Sequence, residues 1–326
     1  MAPASAEETD SWFYHDLGYD QLHAQGLDGE GITIAIVEVG PTQTHPTSKA
    51  RTSNSSTSRK NARSSMKSEK SETWSTRRSQ LVPRPLRHGS DVACVIVGQG
   101  GPGRIHGVAP KAKLLVFEQA VGLSDYTGPW PEGCKKHLLV NGAHMIQAEQ
   151  LGADIFSYSL IGYTQPTNFM NAYWQMRGKA LVVGSGNEKF VGASAAGLPG
   201  VVSVTATRPG NTATDWASEG PEITVGAPGE ELILRDLEGN LDFRSRGTSF
   251  AAPIVASTLA LGKQKWPDAT YNQLIQSLTA TASGDGTRTD KLGYGAINPT
   301  AFINNDPTQY PDEPITYPDS SRDDPD

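Results

Sequence analysis

The sequence is poor in cysteine and has no long apolar run. Only two of its 326 residues are cysteines, Cys94 and Cys134, too few for the disulfide framework of a small secreted domain. No apolar run reaches the roughly 18 residues of a membrane-spanning helix. No signal peptide is visible at the N-terminus, which leaves two alternatives for localisation: cytoplasmic for the chain as written, or secreted if the sequence is a trimmed form. Its length suits one large α/β domain with a substantial core.

Positive charge is scarce outside one segment of the chain. The formal net charge is −7, yet residues 47–87 contain 11 Lys or Arg and only 2 Asp or Glu. An acidic chain is not typical of proteins that bind nucleic acid, whose affinity comes largely from basic contacts to phosphate. We therefore expect no nucleic-acid partner, although the basic segment leaves that alternative open.

Two segments lack the pattern of a packed structure. Residues 47–82 are rich in Ser, Thr, Lys and Arg without helical or strand periodicity, which predicts a basic, flexible insertion. The tail from Asp306 to Asp326 is acidic and proline-rich, which predicts disorder. The chain is thus divided into a lead-in at 1–30, a domain at 31–303 that carries the insertion, and a tail at 304–326.

A β-branched run near the N-terminus ends in a carboxylate. Residues 31–40 read GITIAIVEVG, the composition of a strand that is buried on both faces of a parallel sheet. In an open α/β sheet, chemistry gathers at the carboxyl ends of the strands. Glu38 is therefore a candidate functional acid, and the alternative is an ordinary solvated carboxylate at a strand end.

A serine precedes a long run of small and apolar residues. Residues 246–261 read RGTSFAAPIVASTLAL, which predicts a buried helix with Ser249 at its N-terminus. Unpaired backbone N–H groups at that end favour a developing negative charge. Pro253 is expected in the first helical turn, where its missing N–H is not needed. The alternative is a buried helix that the serine merely caps.

A histidine opens a second predicted helix. His88 is followed by Gly89 and Ser90 and then by an apolar run, which places the imidazole at a helix N-terminus. A histidine in this position is often only a cap. Its place in the chain between the acid and the serine favours a catalytic role, and Asp91 is expected to perturb it.

These motifs together resemble those of the subtilisin-like serine proteases, the subtilases. The resemblance covers residues 31–40 and 87–303 and runs in the family's order of acid, histidine and serine. It rests on the strand that ends at Glu38, on His88-Gly89-Ser90, on Gly186-Asn187-Glu188, and on Gly247-Thr248-Ser249 with Ala252-Pro253.

The resemblance implies a three-layer α/β fold, with a mainly parallel sheet between helices, and a serine endopeptidase activity. It implies that Ser249 is the nucleophile, His88 the general base and Glu38 the acid, in a position where the family normally has Asp. Asn187 would donate to the oxyanion together with the backbone N–H of Ser249. The partner would be a peptide or protein substrate bound by a monomer.

The substrate groove is also implied by the resemblance. Ser159, Leu160, Ile161 and Gly162 are similar to the Ser-Leu-Gly-Gly strand that pairs with an extended peptide, and Gly186 would lie beside it. Ile161 replaces a glycine there, so we expect a narrower groove. No cofactor and no metal at the site are expected. A structural calcium ion is implied by the resemblance alone, because no Asp-rich loop has convincing calcium spacing.

Two alternatives to hydrolysis stay open, and the first of them is favoured by three departures from the family pattern. These departures are Glu38 in place of Asp, Asp91 and Ile161. The extra methylene of Glu38 extends the carboxylate by about 1.5 Å, and errors near 1 Å can cost about 100-fold in rate. One alternative is therefore a pseudoprotease that binds peptides without turnover. The other is a transpeptidase or macrocyclase that passes the same acyl-enzyme to an amine.

Overall fold

The structure is a computed structural model that describes residues 11–39, 84–101, 104–119, 140–159, 178–188, 198–235 and 241–317. Some predictions fall outside these residues and remain predictions. They concern the insertion at 47–82, the groove residues Leu160, Ile161 and Gly162, and the end of the tail at 318–326.

A sheet of seven strands forms the centre of the protein. Its members are β1 (Thr33–Val39), β2 (Lys113–Gln119), β3 (Ile155–Tyr158), β4 (Ala180–Gly184), β5 (Val202–Arg208), β6 (Thr212–Ala213) and β7 (Val225–Pro228). The order is β2-β1-β3-β4-β5, and both β6 and β7 pair with β5. Among the described strand pairs of this sheet, β5–β6 is antiparallel and the others are parallel. The predicted mainly parallel sheet is confirmed. A separate hairpin consists of β8 (Leu232–Arg235) and β9 (Leu241–Ser245).

Helices cover both faces of this sheet. They are α1 (Phe13–Asp16), α2 (Tyr19–Ala24), α3 (Arg84–Val97), α4 (Val140–Gln150), α5 (Thr248–Lys265), α6 (Tyr271–Ala280) and α7 (Pro299–Asn304), and a short 3-10 helix follows at Pro307–Gln309. α3 and α5 pack on one face and α4 packs on the other. None of the described helices is long and apolar enough to cross a bilayer.

Strand β1 shows why the layers form. Ile34 and Ile36 point into the larger core with α3 and α5, while Ala35 and Val37 point into a second core with α4. All four side chains are fully buried. Because successive residues of a strand face opposite sides, a run without polar residues must be covered on both faces. The predicted three-layer arrangement is confirmed.

Parallel pairing brings three strand ends to one edge of the sheet. Val37 of β1 lies opposite Tyr158 of β3, which in turn lies opposite Val183 of β4. The residues that follow these positions, Glu38 and Ser159 among them, therefore emerge side by side.

The chain after α7 corrects the prediction of a disordered tail. Residues 306–317 are ordered, so the prediction is wrong for them. Asp312 accepts hydrogen bonds from Thr270 and Asn272 at the start of α6, and the carbonyl of Ile315 accepts one from Gly200. Acidic composition is compatible with order here because the carboxylates find local donors and the backbone joins the domain.

Candidate active site

The side chains of Glu38, His88 and Ser249 form one continuous chain of hydrogen bonds. The distance from His88 Nδ1 to Glu38 Oε2 is 2.7 Å, and that from His88 Nε2 to Ser249 Oγ is also 2.7 Å. A carboxylate can only accept, so Nδ1 carries the proton. Nε2 is then left to accept the hydroxyl proton of Ser249. The arrangement can therefore remove a proton from the serine.

Glu38 lies at the carboxyl end of β1 and has no solvent exposure. Its extra methylene does not prevent the contact with the imidazole. Within the described part of the chain, its second oxygen, Oε1, has no hydrogen-bond partner. Among the described residues, the buried carboxylate therefore receives its hydrogen bonding from His88.

His88 lies in α3, but not where the sequence pattern placed it. The helix begins at Arg84, so His88 is its fifth residue rather than a residue at the N-terminus. Position 85 falls in that first turn, where proline is favoured and no backbone N–H is needed, so the sequence is compatible with the earlier start. The imidazole reaches Glu38 and Ser249 from the second turn.

The electrostatic surroundings of His88 favour its charged form. Burial alone lowers the pKa of His88, but the hydrogen bond and the charge of Glu38 raise it, and the charge of Asp91 adds to them. The net result is a pKa above the ordinary histidine value. Asp91 is buried three residues further along the same helix. The sequence predicts that Asp91 perturbs the histidine, and the structure gives the direction, since the charge of Asp91 raises the pKa of His88.

Ser249 is the second residue of α5, as predicted, and 8% of it is exposed. As a residue of the first turn, it has a backbone N–H without a partner inside the helix. Gly247 precedes the helix at a point of close approach. A Cβ atom at Gly247 would lie 2.8 Å from Ser249 Oγ, so a side chain there would crowd the hydroxyl.

Asn187 is oriented so that its amide nitrogen is available. Its Oδ1 accepts from the backbone N–H of Thr248 at 2.9 Å and from Thr248 Oγ1 at 3.1 Å. Because a backbone N–H can only donate, the atom that faces Thr248 must be the amide oxygen. The NH₂ group therefore points away from Thr248, on a side chain that is exposed. The arrangement can present a donor to a substrate.

Thr248 is a site residue that the motif analysis did not assign. Besides contacting Asn187, its Oγ1 accepts from the backbone N–H of Gly186 at 3.1 Å. The carbonyl of Gly186 accepts from Ser218 at 3.0 Å. Thr248 thus ties the loop after β4 to the start of α5. The only signal in the sequence is a hydroxyl residue directly before the serine.

Ser159 is buried, and its side chain contacts the nucleophile residue. Its Oγ donates to the backbone carbonyl of Ser249 at 2.9 Å. Phe250 is a second residue that was not assigned, and its ring lies 5.3 Å from the His88 ring with a 36° tilt. Both contacts restrict the catalytic groups. The remaining groove residues that were predicted after Ser159 lie outside the described residues.

Metal ligands are not assembled in the part of the chain that the structure describes. No group of three or more His, Cys, Asp or Glu side chains there could hold a metal ion. These residues therefore do not fit a carboxylate-rich calcium site, and calcium elsewhere in the chain remains a prediction.

A serine, a histidine and a buried carboxylate at one edge of a parallel sheet define the class of α/β serine hydrolases. The family model described as the subtilase family matches residues 29–295. The chain belongs to the subtilase family and is a serine peptidase.

Individual relatives agree with this assignment. Subtilisin E of Bacillus subtilis (strain 168) is 28% identical over 284 residues, which are 85% of this chain and 67% of that protein. The crystal structure of MycP1 from Mycobacterium smegmatis aligns with a TM-score of 0.67 at 19% identity, over 100% of this chain and 91% of that one. The structure of the prenylagaramide maturation protease PagA aligns with a TM-score of 0.64 at 20% identity, over 88% and 97%. These two structures show a shared fold.

Proposed function

We propose that this protein is a serine endopeptidase whose catalytic triad is Glu38, His88 and Ser249. The observation that carries the proposal is the unbroken hydrogen-bond chain through His88, with both distances at 2.7 Å. Both ring nitrogens are engaged as nucleophilic catalysis needs, one by a carboxylate and the other by the serine hydroxyl.

In the first step, Ser249 Oγ attacks the carbonyl carbon of the scissile peptide bond while His88 Nε2 takes the hydroxyl proton. The tetrahedral intermediate collapses to an acyl-enzyme, and His88 gives that proton to the leaving amine. Water then attacks the ester, and His88 again removes and returns a proton. Glu38 holds the imidazole in the correct tautomer throughout and stabilises the imidazolium.

Asn187 and the backbone N–H of Ser249 serve as the oxyanion donors. The support is the orientation of the Asn187 amide, whose oxygen is occupied by Thr248. Donors that are fixed before the reaction stabilise the developing charge without reorganisation. Thr248 is a positioning residue in this scheme, because it acts through Asn187.

The substrate is an extended peptide or protein segment that pairs with the chain at and after Ser159, beside Gly186. Support comes from the position of Ser159 at the carboxyl end of β3, next to the acid and the nucleophile. The enzyme acts as a monomer, without a cofactor and without nucleic acid.

Glu38 reaches His88 despite its length, which favours an active enzyme over a pseudoprotease. Transfer of the acyl group to an amine uses the same groups as hydrolysis. Because the structural relative PagA is a maturation protease, the experiment below also looks for this second reaction.

The test is product analysis by mass spectrometry after the protein is incubated with a mixture of unmodified oligopeptides. We expect fragments that together contain one added water per cleaved bond, and none with Ser249→Ala. Ser257→Ala, which changes a buried serine elsewhere on α5, is the matched control and should cleave normally. Ligated or cyclic products would identify a transpeptidase, and intact peptides a pseudoprotease.

A further inference from the structure

Helix α5 lacks one backbone hydrogen bond next to the nucleophile. In an α-helix the N–H of residue 253 donates to the carbonyl of residue 249. α5 begins at Thr248, so Pro253 is its sixth residue and lies in the second turn. The sequence pattern predicts Pro253 in the first turn, and this prediction is wrong. The missing N–H is therefore needed here. The carbonyl of Ser249 is left without its helical donor.

A side chain from the sheet supplies a donor instead. Ser159 Oγ donates to the Ser249 carbonyl oxygen at 2.9 Å, and both residues are only 8% exposed. A buried carbonyl without any donor would be costly, so this bond replaces one that proline removes. Proline also favours the contact sterically, because its ring pushes against the carbonyl four residues earlier and turns it away from the helix axis.

We propose that Ser159 is a positioning residue for the nucleophile, because its hydroxyl substitutes for the N–H that Pro253 lacks. This inference rests on the proposed role of Ser249. The carbonyl, the N–H and the side chain of Ser249 share one Cα atom, so a fixed carbonyl restricts the direction of Oγ and of the oxyanion N–H.

The bond also links the nucleophile to the edge of the sheet that carries the acid. Ser159 directly follows β3, and Tyr158 of that strand pairs with Val37 of β1, the residue before Glu38. The start of α5 is therefore fastened to the same edge of the sheet that carries the triad acid. A small displacement of α5 would change the distance from Ser249 Oγ to His88, and such displacements are expensive in catalysis.

The first measurement is the second-order rate constant for labelling of Ser249 by a fluorophosphonate. Ser159→Ala is expected to slow labelling about tenfold, which corresponds to about 1.4 kcal/mol. Ser159→Thr keeps the hydroxyl and should restore most of the rate. Ser157→Ala is the matched control, because Ser157 lies two residues earlier on β3, is fully buried and has an Oγ with no partner among the described residues. It should change the rate less than about twofold.

The decisive comparison repeats Ser159→Ala in a Pro253→Ala background. Alanine restores the N–H and is a better helix residue, so the variant should fold. There, the cost of Ser159→Ala is expected to fall from about tenfold to less than about twofold. A role in folding alone would lower the melting temperature without this dependence of the labelling rate on residue 253.

Two results would overturn the inference. One is that Ser159→Ala slows labelling equally in the wild-type protein and in Pro253→Ala, and the other is that it does not slow labelling in the wild-type protein. If Ser159→Ala does not fold, Ser159→Cys takes its place, since a thiol has similar shape but is a weak donor. A Cys variant as fast as wild type would also overturn it. Wild type that is not labelled at Ser249 would reject the proposed function itself, and this inference with it, so the two failures are distinguishable.

Discussion

The two sides of His88 are held in different ways. On the nucleophile side, four hydrogen bonds among the described residues hold the start of α5. Thr248 donates from its N–H and its Oγ1 to Asn187 Oδ1, and the N–H of Gly186 donates to Thr248 Oγ1. The fourth is the bond from Ser159 Oγ to the Ser249 carbonyl. On the acid side, the Glu38 carboxylate accepts one hydrogen bond among the described residues, from His88 Nδ1. Several groups together thus fix the position of the nucleophile. The acid side depends on the charge and the length of one side chain.

The largest effect is expected where the charge on the acid side is removed. Glu38→Gln takes away the charge that stabilises the imidazolium and can present a donor to Nδ1, which favours the wrong tautomer. We expect kcat/KM for peptide hydrolysis to fall about 1,000-fold or more. Glu230→Gln, at a carboxylate that accepts from Trp216 outside the triad, is the control. Activity of Glu38→Gln equal to wild type would show that Glu38 is not the triad acid.

The next largest effect is expected on the nucleophile side, at the oxyanion donor Asn187. Asn187→Ala removes one oxyanion donor while the N–H of Ser249 remains, so turnover should fall about 100- to 1,000-fold. Stability should fall by only about 1 kcal/mol, from the loss of the two hydrogen bonds that Thr248 donates to Asn187 Oδ1, so the variant should stay folded. Asn304→Ala, at an exposed asparagine on α7, controls for the substitution. Unchanged turnover would remove Asn187 from the oxyanion site.

Length on the acid side should matter less than charge. Glu38→Asp keeps the carboxylate but withdraws it from Nδ1 by about 1.5 Å, so we expect kcat to fall tenfold or more, about 1.4 kcal/mol. The loss should appear in kcat with little change in KM, because Glu38 does not touch substrate. A variant as active as wild type would mean that the backbone adjusts, and that the acid side is less dependent on length than proposed.

The smallest effect concerns the charge beside the histidine. Activity requires neutral His88, and the pKa of His88 is raised, so the acid limb of the pH–rate profile should lie above the ordinary histidine value. Asp91→Asn removes one of the charges that raise this pKa. The limb should therefore move to lower pH, and activity on that limb should increase. A profile that does not move would show that Asp91 has no influence on the titration of His88.

Local patterns predicted the elements of this fold better than the contacts between them. The β-branched run of β1 predicts burial on both faces, and the position of Ser249 in the first helical turn was also predicted. The exact start of α5 was not predictable, because Thr248 is capped by Asn187 from a loop 61 residues earlier in the chain. The place of Pro253 in the second turn, and with it the role of Ser159, depends on that distant contact.

Composition alone gave a wrong prediction for the tail at residues 306–317. Its charge and prolines predict disorder, yet Asp306 accepts from Thr308 and starts a short 3-10 helix, and Asp312 meets donors on α6. A carboxylate that finds a donor is a structural residue, and only the folded arrangement shows which donors are near.

The central claim is that Glu38, His88 and Ser249 act as one assembled triad, and fluorophosphonate labelling at neutral pH tests it most directly. The account predicts that the probe modifies Ser249 in the wild-type protein, located by peptide mass spectrometry. His88→Ala should suppress this modification, and Ser249→Ala should abolish it. Wild type labelled no faster than His88→Ala would contradict the account, because it would show that the histidine does not activate the serine.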